Sequence, residues 1–359
     1  MEDMKYVNKD LETMSLDKVK ELQLEKLRKM VKFAYENNEV YKEAFDKKGV
    51  KTETLDSLDD LAKFPILTKE HLVKHFPYGF LSMPKNQIKK IYMSGGTTGK
   101  PIAIFYSAAD NNEIIDVASR IYPAAGVLPP DENNKGDVLY HLLPMGSHIV
   151  NCFMDAASTL GIPVIPAHFS YNEPEKHLEV IKDFGVTALN IAPVGKKGSN
   201  LQGLLEVDEE RIIDNNIKTI LYAGAPMPID MMKDLMKKGK TVLGVYGGTE
   251  IGGIGIQSKY CSGIPPGTFH VWGDRTLVEI VDDDGKPLKP GQRGYMIVTA
   301  LGGDEFAGRA TPIIRYRTGD EVTLMEGPEC GCGRTPLYVS KPKRIEDFSR
   351  MDKSCAGEF

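Results

Sequence analysis

Between Gly136 and Tyr246 the chain changes type in a regular rhythm, and that rhythm limits what its 359 residues can fold into. Apolar, strand-like runs occur at Val138–Leu143, Ile162–Pro166, Ala188–Ala192, Ile217–Ala223 and Thr241–Tyr246. Helix-like stretches separate them, such as Glu173–Phe184 and Ile229–Lys238. Strands alternating with helices imply βαβ units, a mainly parallel sheet and an α/β fold. Such sheets bind ligands beyond the carboxyl ends of their strands, so residues just after each run take priority as site candidates.

The flanks are different. Residues 15–37 predict an amphipathic helix, with Leu24, Leu27, Val31 and Ala34 at three- and four-residue steps. Ser57-Leu-Asp-Asp60 reads as a capping box opening another helical turn. After Gly273 short strands are expected at Leu277–Asp282, Gly294–Ala300, Pro312–Tyr316 and Glu321–Met325, split by turns such as Asp-Asp-Asp-Gly-Lys-Pro at 282–287. The expected organisation is an α/β core with N-terminal helices over 1–254, a small β-rich, barrel-like part over 255–342, and a short remnant and tail over 343–359.

Charge and cysteine content exclude several classes. Forty-five Lys and Arg against 50 Asp and Glu leave a net charge of −5, and no basic block interrupts the balance, which argues against nucleic acid as a partner. No apolar run approaches the ~20 residues of a spanning helix, and the N-terminus has no apolar leader segment. A cytoplasmic protein without a membrane partner is the expectation. Five cysteines are too few for a disulfide scaffold.

The sharpest local signal is Ser94-Gly-Gly-Thr-Thr-Gly-Lys-Pro101, lying between the runs Ile91–Met93 and Ile102–Tyr106. Its glycines let backbone N–H groups converge on an anion; its hydroxyls and Lys100 add donors and charge. A Walker A loop needs wider glycine spacing and a Ser or Thr after the lysine, so this is another kind of phosphate loop. A bare Gly-Gly tract would read as a hairpin turn, but the hydroxyls and terminal lysine shift the balance. A second loop, Gly244-Val-Tyr-Gly-Gly-Thr-Glu-Ile-Gly-Gly253, follows the last βαβ strand. Its Thr249-Glu250 pair offers a hydroxyl for phosphate and a carboxylate for Mg²⁺, although Glu250 alone would read as a solvated loop residue. The third patch, Arg315-Tyr-Arg-Thr-Gly-Asp320, ends in a carboxylate able to accept both ribose hydroxyls; alone it would read as a turn aspartate.

Taken in order, the three patches resemble the adenylate-forming (acyl/aryl-CoA synthetase) superfamily. Within it the chain is similar to the phenylacetate–CoA ligase branch, through Leu22–Tyr41, Leu58–His71 and Phe269–Asp274. The resemblance runs from about residue 20 to about 348. It implies that Ser94, Gly95, Gly96, Thr97, Thr98, Gly99 and Lys100 hold the phosphates of ATP. Tyr246, Gly247, Gly248 and Thr249 would line the nucleotide and acyl side, and Glu250 would position Mg²⁺. Ala223, Gly224, Ala225 and Pro226 would pack on adenine, Asp320 would hold the ribose, and Arg344 would sit near a hinge. Lys100, Thr249 and Glu250 are the expected catalytic residues. Gly95 departs from the pattern, since these enzymes more often carry Ser or another small residue there.

The implied reaction activates a carboxylic acid, aromatic by the resemblance, to an acyl-adenylate with release of pyrophosphate. CoA is the expected thiol acceptor. Two alternatives stay open: acyl or adenylyl transfer to a protein or cofactor, and a degenerate nucleotide-binding scaffold. Lys343-Arg-Ile-Glu-Asp-Phe348 resembles the hinge to a mobile C-terminal domain, which the sequence is expected to lack. Cys355 near the end reads as a tail thiol sooner than an acyl carrier. Cys261, His270, Cys330 and Cys332 form, by the same resemblance, a structural Zn²⁺ set, while His141, His148 and His168 are expected in a pocket or on the surface.

Overall fold

The computed structural model describes residues 5–93, 101–143, 148–167, 173–194, 200–213, 216–265, 267–303 and 308–345. The chain divides into two compact units that do not follow chain order. The first is Met1–Lys9, Ile115–Gly248 and Gly255–Ser262; the second is Asp10–Ile114, Thr249–Ile254 and Gly263–Phe359. Among the described residues, no helix is long and apolar enough to cross a membrane.

The first unit holds the parallel sheet that the alternation implies. Its strands lie side by side in the order Val164–Pro166, Leu139–His141, Ala188–Ile191, Thr219–Tyr222 and Thr241–Gly248. Helices Pro174–Asp183 and Ile229–Lys237 fall within the stretches expected for them, each about a residue shorter at the end. Successive side chains of a strand face opposite sides of the sheet, and the two sides differ. Tyr140, Leu189, Ile220 and Val242 stand in one row and pack with Leu178, Ile181, Leu204 and Leu235 in an apolar core. The other row, His141, Asn190, Leu221 and Leu243, is set by the pairings His141↔Asn190, Asn190↔Leu221 and Leu221↔Leu243. Each fully buried Leu or Ile of the core contributes about 1.5–3 kcal/mol.

In the second unit the helix Leu16–Asn37 buries Val19, Leu27, Met30, Val31 and Ala34, but also Gln23 and Lys26, while Leu24 stays half-buried. The two polar members take core positions because each finds backbone acceptors. The Gln23 amide donates to the carbonyls of Gly273 (2.9 Å) and Thr276 (3.2 Å), and Lys26 Nζ donates to that of Asp274 (2.8 Å). Buried polar groups so satisfied cost little. Ser57 and Asp60 form the expected capping box, on a 3₁₀ turn over Leu58–Lys63.

Three antiparallel strands, Thr276–Val281, Arg293–Ala300 and Tyr316–Glu326, form the meander of this unit, with Leu337–Val339 and Phe269–Val271 paired alongside. The strand expected at Pro312–Tyr316 does not form; one continuous strand begins at Tyr316 and absorbs Glu321–Met325. Arg315 is the cause. Its φ of 50° interrupts extended backbone, and a non-glycine residue holds that conformation only when its surroundings enforce it. Here the Arg315 N–H donates to Thr299 Oγ1 (3.0 Å), its guanidinium pairs with Glu279 (3.1 Å), and Nη1 donates to the carbonyl of Ala62 (2.9 Å).

Candidate functional site

The phosphate loop Ser94–Lys100 lies outside the described residues, so the site is built from what flanks it. Strands Ile88–Met93 and Ala103–Ser107 pair antiparallel as far as Met93↔Ala103. From the second of them Tyr106 donates its hydroxyl hydrogen to the carbonyl of Thr249 (3.3 Å). The loop's outgoing strand is thereby tied to the Thr249-Glu250 pair within one unit.

The motif around that pair crosses the division of the chain. Tyr246, Gly247 and Gly248 end a strand of the first unit, with Tyr246 half-buried and Gly247 exposed; Thr249 and Glu250 belong to the second unit and are half-buried. Gly253, a little further on, has a steric requirement. A Cβ there would come 2.3 Å from the Trp272 ring, too close for any side chain. The Phe269–Asp274 stretch thus acts as a plate against the backbone leaving Glu250.

Tyr316 donates its hydroxyl hydrogen to Glu250 Oε1 (3.2 Å). Burial, and then the Glu250 charge, raise its pKa well above the ordinary phenol value, so it stays a donor. Sequence reasoning quoted Tyr316 within the third patch without giving it a role; its signal was a phenol between two arginines, Arg315 and Arg317.

Asp320 follows on the same strand after a bulge. Arg317 pairs with Ile297 and Glu321 with Tyr295, so Thr318, Gly319 and Asp320 together oppose Met296. Gly319 has φ 82°, the left-handed conformation a bulge requires and a Cβ resists. Thr318 Oγ1 donates to the Met296 carbonyl (3.1 Å) and accepts from the Asp320 N–H (3.2 Å). Arg344 reaches both, with Nη1 on the Thr318 carbonyl (3.0 Å) and on Asp320 Oδ1 (3.3 Å). The described part of the hinge-like segment is therefore clasped to the ribose candidate. Its remainder from residue 346, with Cys355, lies outside the described residues.

The segment Leu58–His71 braces the start of this strand. The Leu67 N–H donates to the Arg315 carbonyl (3.0 Å) and the Arg317 N–H to the Leu67 carbonyl (2.9 Å).

In the first unit, Ala223, Gly224, Ala225 and Pro226 follow the strand Thr219–Tyr222 at its carboxyl end. Ala223 is buried, Gly224 and Pro226 are exposed, and Gly224 turns the chain with φ 82°. Ala223 also lines an apolar pocket with Ile121, Leu143, Phe153, Leu221 and Val245; Asn190 and Tyr222 complete it. Asn190 Nδ2 donates to Tyr122 Oη (3.0 Å) and meets His141 Nδ1 (3.2 Å); Tyr122 donates to the Phe153 carbonyl (2.7 Å). His141 is wholly buried, and burial lowers its pKa to about 4, so it is neutral at pH 7. It is a core member of this network and no surface residue. The side chains of His148 and His168 are outside the described set. Asn190 was missed by sequence reasoning; the available signal was an amide inside an otherwise apolar strand, Ala-Leu-Asn-Ile.

A soft-ligand cluster lies in the second unit. His270, Cys330 and Cys332 are buried, and their ligand atoms lie within 4.8 Å of one another. His270 Nε2 is 3.2 Å from Cys332 Sγ, and Nδ1 is 3.3 Å from the Thr335 carbonyl. With Zn–S of about 2.3 Å and Zn–N of about 2.0 Å, tetrahedral zinc holds S and N roughly 3.5 Å apart, so these residues fit the metal. A carbonyl on Nδ1 fixes the tautomer that frees Nε2 for it. Cys261 is half-buried and belongs to the first unit.

Comparison with known proteins meets this geometry. The family described as AMP-binding enzyme matches residues 12–302. A phenylacetate-coenzyme A ligase of Thermus thermophilus is 30% identical over 336 residues, covering 92% of this chain and 71% of the relative. One from Escherichia coli K12 is 31% identical, covering 88% and 70%. Among solved structures, 2-hydroxyisobutyryl-CoA ligase in the postadenylation state in complex with 2-HIB-AMP superposes with a TM-score of 0.81 at 21% identity, covering 96% of this chain and 71% of that one. That likeness shows the fold. With four fifths of its length matched by the family and its sequence relatives all of one kind, the chain belongs to the AMP-binding, adenylate-forming enzymes, in their phenylacetate–coenzyme A ligase-like branch.

Proposed function

We propose that the chain activates an aromatic carboxylic acid with ATP and Mg²⁺ and passes the acyl group to the thiol of CoA. The observation that carries this reading is one strand, Tyr316–Glu326, presenting two functions: Tyr316 engages Glu250, and Asp320 engages Arg344. A carboxylic acid is ionised at pH 7 and needs no general base. Its oxygen attacks the α-phosphorus, the P–O bond to pyrophosphate breaks, and an acyl-adenylate results. In the second step the thiol loses its proton and displaces AMP from the acyl carbon.

The work left to the protein is positioning and charge neutralisation. Ser94, Gly95, Gly96, Thr97, Thr98, Gly99 and Lys100 hold the phosphates. Glu250 serves Mg²⁺: Tyr316 engages Oε1, and among the described residues Oε2 has no hydrogen-bond partner, which suits a hydrated cation that keeps one or two carboxylates. Asp320 accepts the ribose hydroxyls, and Ala223–Pro226 with Tyr246, Gly247, Gly248 and Thr249 line the nucleotide and acyl side. Zinc, which His270, Cys330 and Cys332 would hold, would staple the second unit and take no part in the reaction. Absence of bound zinc from metal-replete protein, or its retention in Cys332→Ser, would remove that role.

ATP–pyrophosphate exchange with Mg²⁺ over a panel of aryl acids tests adenylation, and CoA thioester formation tests the second step. Exchange dependent on an aryl acid is expected. Exchange only with short aliphatic acids would refute the aromatic assignment, and no exchange with any acid would refute adenylation itself.

A further inference from the structure

The soft-ligand cluster of the second unit is joined to a part of the chain 322 residues away. Just after Cys332, Gly333 turns the backbone with φ 76° and donates its N–H to the Cys330 carbonyl (2.8 Å). The next two residues each face two ways. Arg334 donates its N–H to Cys332 Sγ (3.4 Å), while its guanidinium pairs with the Glu12 carboxylate (3.0 Å). Thr335 sets its carbonyl against His270 Nδ1 (3.3 Å). Its N–H donates to the Glu12 carbonyl (3.0 Å) and its hydroxyl to the Met14 carbonyl (2.8 Å).

Burial makes these bonds count. The side chains of Glu12 and Arg334 are 1% and 4% exposed. Removing one member of a buried ion pair leaves the other charge uncompensated, so each holds the other in place. Groups that hydrogen-bond metal ligands orient them, and losing such a group weakens metal binding about ten- to hundredfold. Arg334 and Thr335 stand in that relation to Cys332 and His270, and Glu12 engages both. Glu12 lies where the chain enters the second unit, shortly before the helix Leu16–Asn37. A metal that orders the turn at 330–335 therefore also orders the segment at 12–14. By linkage, the docked segment must strengthen metal binding in the same measure.

We propose that Glu12 is a positioning residue of the metal centre: through Arg334 and Thr335 it sets Cys332 and His270 for zinc, and zinc in turn anchors residues 10–14. This rests on the reading that His270, Cys330 and Cys332 hold zinc, and it gives that centre a task. What it fastens is the start of the second unit.

The test compares zinc affinity in the full chain and in Glu12→Gln, by competition with a chromophoric chelator. Backbone hydrogen exchange is followed in both proteins with and without zinc. The substitution keeps the shape of the side chain and removes its charge, so zinc should bind about ten- to hundredfold more weakly. Chelating zinc from the wild-type chain should speed exchange over 10–14 and leave the strand Ala188–Ile191 of the first unit unchanged. In Glu12→Gln the effect of zinc on 10–14 should shrink, a linkage that a purely structural role would not produce. Equal zinc affinity in the two proteins would overturn the inference and leave the zinc centre intact. So would wild-type exchange over 10–14 that ignores zinc, or that quickens only together with Ala188–Ile191. If Glu12→Gln does not fold, wild-type exchange with and without zinc decides alone. A wild-type chain that binds no zinc would overturn the zinc reading and this inference with it.

Discussion

In the parallel sheet of the first unit, His141 and Asn190 are single polar side chains set into strands otherwise built from Leu, Ile, Ala and Tyr. In the meander of the second unit, the strand Tyr316–Glu326 is dense with polar residues and carries its function in a compact motif. The first unit holds its polar groups through register, each placed by the strand beside it. The second holds them through a bulge at Gly319, a left-handed Arg315 and direct charge pairs. Polar function inside a sheet can be fixed by neighbours that are apolar or by neighbours that are charged, and the two solutions should fail differently.

The largest expected difference is in stability. Glu279→Ala leaves the Arg315 guanidinium, 1% exposed, without its carboxylate, which should cost about 3 kcal/mol; a denaturant midpoint close to wild type would show that the backbone carbonyls suffice. For the first unit the matching experiment is pH. His141 takes up its proton near pH 4 when folded and near 6.5 when unfolded. The unfolded chain therefore binds more protons between those values, and stability should fall on acidification through that window by up to about 3 kcal/mol. Comparison with His141→Phe isolates this share, and identical pH slopes for the two proteins would refute it.

Smaller effects concern turnover. Glu250→Gln should lower Mg²⁺-dependent exchange on the order of a hundredfold while the circular dichroism spectrum stays the same. Tyr316→Phe removes one hydrogen bond to that carboxylate and should cost about tenfold. Equal activity for Tyr316→Phe and wild type would separate the tyrosine from the site and leave the motif's role to Asp320 alone.

The alternation between Gly136 and Tyr246 made the parallel sheet legible, because runs such as Ala188–Ala192 can be buried on both faces only in such an arrangement. The three patches made the chemistry legible, because their residue types and order are few. Tyr316 was visible but unassigned, since its partner Glu250 is 66 residues away. Asn190 was legible only as an oddity, without a partner or a role. In sequence it is one amide in an apolar run, and its meaning comes from lying opposite His141 in a neighbouring strand. The strand expected at Pro312–Tyr316 failed for a related reason. Propensity describes Arg315 as an ordinary residue, whereas Thr299, Glu279 and Ala62 hold it in a conformation that propensity would not choose.

The pairing His141↔Asn190 also bears on how the chain finds its fold. Apolar parallel strands are nearly interchangeable to one another, and a slip by one residue would still bury Leu against Ile. Such a slip here would turn His141 or Asn190 into the apolar core beside Leu178 and Ile181 and leave an amide and an imidazole both unbonded. The two residues therefore act as a key cut into otherwise uniform teeth, rejecting misaligned sheets while the chain is still assembling.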